Sequence, residues 1–65
     1  MIQRSTMQDL VKAIKLQPNE IKKLPVKDRE FFEDIEEQCT HYGYGFSEKQ
    51  LKWLSSIYRE VYKNV

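Results

Sequence analysis

The C-terminal stretch FSEKQLKWLSSIYREVYKNV constrains the fold most, because it specifies both an amphipathic helix and the residue at which that helix starts. Ser47 followed three residues later by Gln50 is the pattern of a capping box, in which each side chain accepts a hydrogen bond from the other residue's backbone amide. Phe46 and Leu51 flank this box at the positions of a hydrophobic staple. We therefore predict that the last helix of the chain runs over about residues 48–63.

The rotation of about 100° per residue along this helix separates its side chains into two faces. The apolar face contains Leu51, Leu54, Ile57, Tyr58, Val61, Tyr62 and Val65. The opposite face is basic and contains Lys49, Lys52, Ser56, Arg59 and Lys63. Trp53 falls on the boundary between the two. We expect the apolar face to pack in a core and the basic face to remain in solvent.

A first helix is predicted over about residues 6–16. Its apolar side chains recur with the i, i+3, i+4, i+7 spacing of one helical face: Met7, Leu10, Val11 and Ile14. Ser5 and Gln8 have the spacing of a second capping box at its start. Pro18 is expected to end the helix, since proline lacks an amide hydrogen and restricts the residue before it.

The segment NEIKKL at residues 19–24 has two interpretations. Ile21 and Leu24 are three residues apart, which suits a single helical turn laid over the core. An irregular connection fits the sequence equally well, with the same two side chains directed inward and Lys22 and Lys23 in solvent.

A second helix is predicted over about residues 27–42, with Pro25 at its start and Asp28 near the positive end of its dipole. Its apolar face contains Phe31, Phe32, Ile35, Cys39 and Tyr42. The opposite face is acidic and contains Glu30, Glu33, Asp34, Glu36 and Glu37. Gly43 is placed to end this helix, and Gly45 adds a second flexible joint before the next one.

These elements predict an all-α fold in a single small domain covering residues 1–65. The link between the second and third helices is very short, and a short link between long amphipathic helices joins antiparallel neighbours. We therefore expect a three-helix domain in which the N-terminal helix packs on an antiparallel αα-hairpin.

Charge is divided unevenly along the chain. Hydrophobic residues make up 40% and charged residues 32%, which is typical of a compact helical domain. The net charge of +1 gives no overall attraction to nucleic acid or membranes. By segment, residues 1–25 carry +3, residues 26–45 carry −4 and residues 46–65 carry +2. Any electrostatic function must therefore come from one face of the molecule.

The expected compartment follows from cysteine content and hydropathy. The single cysteine, Cys39, cannot form an internal disulfide, which favours a reducing setting. No apolar run approaches the roughly 20 residues needed to cross a bilayer, and the N-terminal sequence lacks the apolar middle of a signal peptide. We therefore expect a cytoplasmic protein with no membrane partner.

Few residues suit catalysis or metal binding. Cys39 and His41 are two residues apart, about 200° around a helix, so they point away from each other. A zinc site needs three or four ligands that face one another. The carboxylates lie on an exposed helix face without a cleft, and no phosphate-binding or dinucleotide-binding motif occurs. We expect no catalytic residues, no metal ligands, no cofactor and no enzymatic activity.

Two faces are candidates for binding a partner. The acidic face, with Glu30, Glu33 and Glu37, is a candidate docking surface for a basic protein patch. Tyr44 and Trp53 add aromatic side chains at the margin of the core, where interface energy is often concentrated. These five residues are the predicted protein-binding site.

The alternative site is the basic face of the last helix. Lys49, Lys52, Arg59 and Lys63 have the charge to neutralise phosphates, and Trp53 beside them has a ring on which a base can stack. The small net charge and the acidic neighbouring helix argue against nucleic acid. A third hypothesis is self-association, by which so small a chain gains stability.

The segment FSEKQLKWLSSIY, following DREFFEDIEEQCTHYGYG, resembles a helical-hairpin element of small proteins and replication-associated domains encoded by double-stranded DNA bacteriophages. The likeness rests on Phe31, Phe32, Ser47, Lys49, Gln50, Leu54, Ile57 and Tyr58. It implies a small phage accessory protein that acts inside the infected cell, on host machinery or in phage DNA metabolism. Some such elements accompany a zinc ribbon, for which this chain lacks the cysteines, and no active residues carry over.

The sequence therefore predicts a non-enzymatic binding module that regulates or adapts a protein partner. The alternative is an accessory factor that binds nucleic acid through the basic face of its third helix.

Overall fold

The computed structural model describes residues 2–41 and 45–63, and within these ranges it contains four α-helices. They are α1 (Arg4–Lys15), α2 (Pro18–Ile21), α3 (Val26–Gln38) and α4 (Glu48–Tyr62). The described residues form no strand, only one isolated antiparallel bridge between Ile2 and Phe46. The predicted all-α class is confirmed, with three longer helices and one single turn.

α1 and α4 run parallel: the start of one helix contacts the start of the other, and the end of one contacts the end of the other. Near their starts, the Ile2 amide donates a hydrogen bond to the Phe46 carbonyl at 3.3 Å. Near their ends, the Tyr62 hydroxyl donates to the Ala13 carbonyl at 2.6 Å. The two contacts hold the N-terminal helix along the whole of α4.

α1 crosses the C-terminal end of α3, because both halves of α1 contact the last turn of α3 or the residue that follows it. The Gln8 side-chain amide, in the first half of α1, donates to the Cys39 carbonyl at the end of α3 at 3.2 Å. Lys15, the last residue of α1, forms an ion pair with Glu36. The backbones of α3 and α4 approach less closely than either approaches α1, so the N-terminal helix is the central element of the domain.

The core lies where these three helices meet. The buried side chains are Met7, Val11, Ile14, Leu24, Phe32, Ile35, Cys39, Phe46, Leu54, Ile57 and Val61. Among the described residues no polar or charged residue is buried. The predicted apolar faces of α1 and α4 supply most of this core. Tyr58 was assigned to the apolar face but is 37% exposed, and Tyr42 and Val65 lie outside the described residues.

The connection between α1 and α3 contains the helical turn rather than the irregular alternative. α2 is a single turn with Pro18 at its first position, where a missing amide hydrogen costs nothing. Leu24 is 5% exposed and Ile21 is half-buried, while Lys22 and Lys23 face solvent. The connection therefore closes one end of the core.

The predicted start of α1 is wrong. The helix begins at Arg4, Gln3 is its cap residue, and no side chain caps it, so the Ser5–Gln8 capping box does not form. The Ser5 hydroxyl instead contacts the Gln3 side chain at 3.5 Å, and Gln8 reaches α3. The hydrogen bond from Ile2 to Phe46 fixes the residues that precede α1. This long-range contact outweighs the local preference for a Ser5–Gln8 capping box.

The predicted end of α3 is also wrong, since the helix stops at Gln38 rather than near residue 42. The Thr40 hydroxyl donates to the Glu37 carbonyl at 2.7 Å, and Gln8 binds the Cys39 carbonyl. Side-chain hydrogen bonds therefore satisfy carbonyl groups at the end of α3, several residues before Gly43 in the sequence. The link is residues 39–47, longer than expected, and the predicted role of Gly43 lies outside the described residues.

The capping box at the start of α4 is confirmed in both directions. The Gln50 amide donates to the Ser47 hydroxyl at 3.2 Å, and the Ser47 amide donates to the Gln50 side chain at 2.8 Å. Replacing Ser47 by alanine should lower the free energy of unfolding by about 0.5–2 kcal/mol, because one amide loses its partner. Urea denaturation measures this difference. Ser56→Ala, in the exposed middle of α4, is the matched control and should not destabilise; an equal loss in both variants would contradict the capping role.

Candidate functional site

Trp53 is the most constrained of the exposed apolar side chains. It is 41% exposed, yet its indole stacks on Phe31 with ring centroids 4.0 Å apart and planes 10° apart. Its Nε1 hydrogen is donated to Asp28 Oδ1 at 2.8 Å. A stacking contact and a hydrogen bond therefore fix the same ring, which keeps one orientation on the surface.

The partners of Trp53 come from one side of α3. Asp28 and Phe31 are three residues apart, which places them next to each other on a helix surface. Phe31 was predicted as a core residue, but it is half-buried and lies at the core margin. These two side chains join α3 to α4 where the helix backbones stay further apart.

A shallow groove of about 240 Å³ runs along one side of this ring pair. Its lining brings together Glu30 and Trp53, two of the residues predicted to bind a protein, and also contains Lys27, Phe31 and Asp34. Glu33 and Glu37 are exposed on α3 but do not line the groove. Tyr44, the remaining predicted member, lies outside the described residues.

The exposed carboxylates of α3 are largely unneutralised. We call Glu30, Glu33, Asp34 and Glu37 the acidic face. Glu30, Glu33 and Asp34 form no ion pair with any described residue, and Glu37 lies 4.0 Å from the Nε2 of His41. Glu36 was predicted to lie on this face but is not part of it, because it is only partly exposed and pairs with Lys15 of α1. The acidic face therefore presents its charge to solvent.

A larger cleft, of about 340 Å³, lies between the α2–α3 connection and the second half of α4. We call it the Asp28 cleft. Leu24 and Ile57 are its buried apolar residues, and Asp28 and Trp53 also line it. Sequence reasoning missed this cleft, because it requires the placement of α2 against α4. No local pattern indicates that placement.

Ion pairs stand on the rim of the Asp28 cleft. Glu20 pairs with Lys23, and Glu60 pairs with Lys63, each at 2.9 Å. The hydrogen bond from Lys63 to Glu60, together with the charge of Glu60, raises the pKa of Lys63. Lys63, the residue that follows α4, therefore pairs with a carboxylate of that helix and does not belong to a free basic surface.

The other three cations of the predicted basic face all lie on α4. Lys49, Lys52 and Arg59 are exposed and form no ion pair with described residues. Seven residues, about two helical turns, separate Lys52 from Arg59, so both lie on one side of the helix. This surface is a narrow row of three cations.

Cys39 is 6% exposed, and burial raises the pKa of its thiol above the ordinary 9.0; the nearby Arg4 charge opposes this effect and Glu36 adds to it. The reactive thiolate is therefore disfavoured in the fold. Within residues 2–41 and 45–63, no group of three or more His, Cys, Asp or Glu side chains is arranged to hold a metal ion. None of the helices in these ranges has the length and apolarity needed to cross a membrane.

The raised pKa of Cys39 predicts a dependence of stability on pH. Folding favours the neutral thiol, so this contribution is complete below the unfolded pKa and is lost as pH rises through the higher folded pKa. Urea denaturation between pH 7 and about pH 10.5 should show a steeper loss of stability for the wild type than for Cys39→Ala. An identical pH profile in the two proteins would contradict this prediction.

Comparisons with known proteins leave the site to be interpreted from its own chemistry. No protein-family model, no curated protein and no solved structure matches this chain.

Proposed function

We propose that this chain is a small, non-enzymatic accessory module of the phage type, acting in the host cytoplasm, which docks a basic segment of a protein partner. The docking surface consists of Trp53, Phe31 and the acidic face of α3. The observation that carries the proposal is the exposed indole of Trp53, held by Phe31 and Asp28 beside a groove that carboxylates line.

A fixed, exposed tryptophan supports protein binding for an energetic reason. Tryptophan is among the residues that contribute most to interfaces, especially when surrounding contacts exclude water. Binding usually costs side-chain conformational entropy. Trp53 is already held in one orientation, so a partner orders it at little further cost.

The charge of the partner segment follows from the acidic face. Glu30 and Asp34 line the groove next to Trp53, and Glu33 extends the same surface. Because these carboxylates form no ion pair with a described residue, a lysine- or arginine-rich segment gains attraction without breaking an existing pair. Complementary charge also accelerates encounter and disfavours acidic partners.

A selection from a random 12-residue peptide display library tests the proposal without a known partner. The wild-type chain should enrich peptides with a net positive charge and at least one bulky apolar residue. The enriched peptides should lose binding to Glu30→Lys/Glu33→Lys and keep it with Lys49→Glu/Lys52→Glu, which changes the same amount of charge on α4. Enrichment of acidic peptides, no enrichment, or equal loss in both variants would overturn it.

A second candidate function is nucleic-acid binding, favoured by Lys49, Lys52 and Arg59, which are exposed and form no ion pair within the described part of the chain. Trp53 fluorescence during titration with single-stranded and duplex DNA and RNA, at about 50 and 200 mM salt, tests it, because phosphate contacts weaken steeply over this range. Saturable binding that is lost at the higher salt and in Lys52→Glu/Arg59→Glu would support this function.

A further inference from the structure

Trp53 is the one described residue that lines both the shallow groove and the Asp28 cleft. Trp53 and Asp28 line it, whereas Phe31, which stacks on the indole, does not. The cleft therefore reaches a part of the indole that Phe31 leaves uncovered. The buried side chains of Leu24 and Ile57 add apolar surface to the same cleft.

The charges around the cleft leave one carboxylate without a cation. Three carboxylates line it, those of Glu20, Asp28 and Glu60, against two ammonium groups, those of Lys23 and Lys63. Each lysine pairs with one glutamate at 2.9 Å. Asp28 accepts the indole hydrogen of Trp53 through Oδ1 and forms no ion pair with a described residue. The cleft therefore has a net charge of about one negative unit.

An arginine side chain has the chemistry that such a cleft would bind. Its guanidinium is planar, remains charged, stacks on aromatic faces and forms paired hydrogen bonds to a carboxylate. Its aliphatic stem can lie on apolar side chains while the charged head reaches polar groups. Lysine shares the charge and the stem but lacks the planar group that stacks.

We propose that the Asp28 cleft receives one arginine side chain of the docked partner segment, with the guanidinium stacked on the uncovered part of the Trp53 indole and hydrogen-bonded to the Asp28 carboxylate, and with the stem against Leu24 and Ile57. This inference rests on the proposed function, since it specifies one residue of the basic segment that docks beside Trp53. The partner would then contact Trp53 from both the shallow groove and the Asp28 cleft.

Nuclear magnetic resonance titration of the ¹⁵N-labelled chain with N-acetyl-arginine methylamide tests the cleft alone. The Trp53 indole N–H and the Ile57 amide should shift saturably. The citrulline analogue, which is isosteric and neutral, should bind at least about fivefold more weakly, and the lysine analogue should also bind more weakly. Equal shifts with arginine and citrulline would overturn the proposal.

Two variants test where the arginine binds. Asp28→Asn keeps an oxygen acceptor for the indole and removes the charge, so it should abolish the preference for arginine over citrulline. Ser56→Arg replaces an exposed side chain that lines the cleft and should block the analogue without unfolding the chain. Glu30→Gln/Glu33→Gln, on the acidic face, should leave analogue binding unchanged. Retained arginine preference in Asp28→Asn or Ser56→Arg would contradict the assignment.

The two proposals fail in different ways. If display selects basic peptides that bind Asp28→Asn as tightly as the wild type, the cleft assignment is wrong and the docking proposal stands. If the arginine analogue binds as described and no basic peptide is selected, the proposed function is wrong and the cleft remains an arginine-binding site.

Discussion

Replacing Phe46 by alanine is expected to lower the free energy of unfolding by about 3–5 kcal/mol, the range for removing a buried aromatic side chain. Phe46 is 2% exposed and is among the largest fully buried side chains. It immediately precedes the Ser47 cap, and its carbonyl accepts a hydrogen bond from the Ile2 amide. Phe46 therefore joins the N-terminal segment to the start of α4. Because stability in such small domains is close to the lower end of about 5–15 kcal/mol, the variant should be largely unfolded at 25 °C.

Thermal denaturation followed by circular dichroism measures this effect. Leu16→Ala is the matched control, since it also removes a large apolar side chain, one that is 74% exposed at the end of α1. Its melting temperature should remain within a few degrees of the wild type. A cooperative transition for Phe46→Ala close to that of Leu16→Ala would show that Phe46 is not a central core residue.

Replacing Trp53 by alanine is expected to weaken binding of a selected basic peptide about 30-fold or more, because truncating a hot-spot aromatic costs at least about 2 kcal/mol. The change removes the exposed indole and its stacking on Phe31. It also removes the side chain that lines both the shallow groove and the Asp28 cleft. It also leaves Asp28 without its indole donor. Fluorescence anisotropy of a fluorescein-labelled peptide measures the affinity, since the variant has no tryptophan.

Tyr58→Ala is the matched control for Trp53→Ala. Tyr58 is an aromatic residue of the same helix with nearly the same exposure, 37% against 41%, and its ring contacts Tyr62 rather than α3. Affinity for the peptide should change by no more than about twofold, as for a surface residue outside the interface. Equal losses in the two variants would indicate a general effect of destabilising α4 rather than a contact at Trp53.

The sequence predicts α4 well because its determinants are local. The capping box of Ser47 and Gln50 involves residues three apart, and the buried face containing Leu54, Ile57 and Val61 follows from helical periodicity. Phe46 was placed before the cap and lies in the core. Because this segment contains both its own capping signal and one continuous apolar face, contacts with distant residues change its helix boundaries little.

The helix boundaries that were wrong depend on contacts between distant residues. α1 begins early where Ile2 bonds to Phe46, and α3 ends early where Gln8 and Thr40 bind its last carbonyls. The capping pattern of Ser5 and Gln8 did not predict the start of α1, because Gln8 binds the Cys39 carbonyl of a distant segment and Ser5 contacts Gln3 instead.

The candidate site could be predicted only in part. Placing Trp53 at the edge of the core required periodicity alone, whereas its contacts with Phe31 and Asp28 bring together residues more than twenty positions apart. Lys63 was assigned to the basic face from its angular position, which does not reveal the ion pair with Glu60. Spacing therefore identifies which residues are exposed, while their partners depend on tertiary packing.

The most direct test of the proposed docking surface is nuclear magnetic resonance mapping of the ¹⁵N-labelled chain with one selected basic peptide. The largest shifts should occur at the Trp53 indole N–H and at the backbone amides of Glu30, Phe31 and Asp34, while the amides of Lys49, Lys52 and Arg59 remain unaffected. Shifts concentrated on those three basic residues of α4, with Trp53 and α3 unchanged, would contradict it.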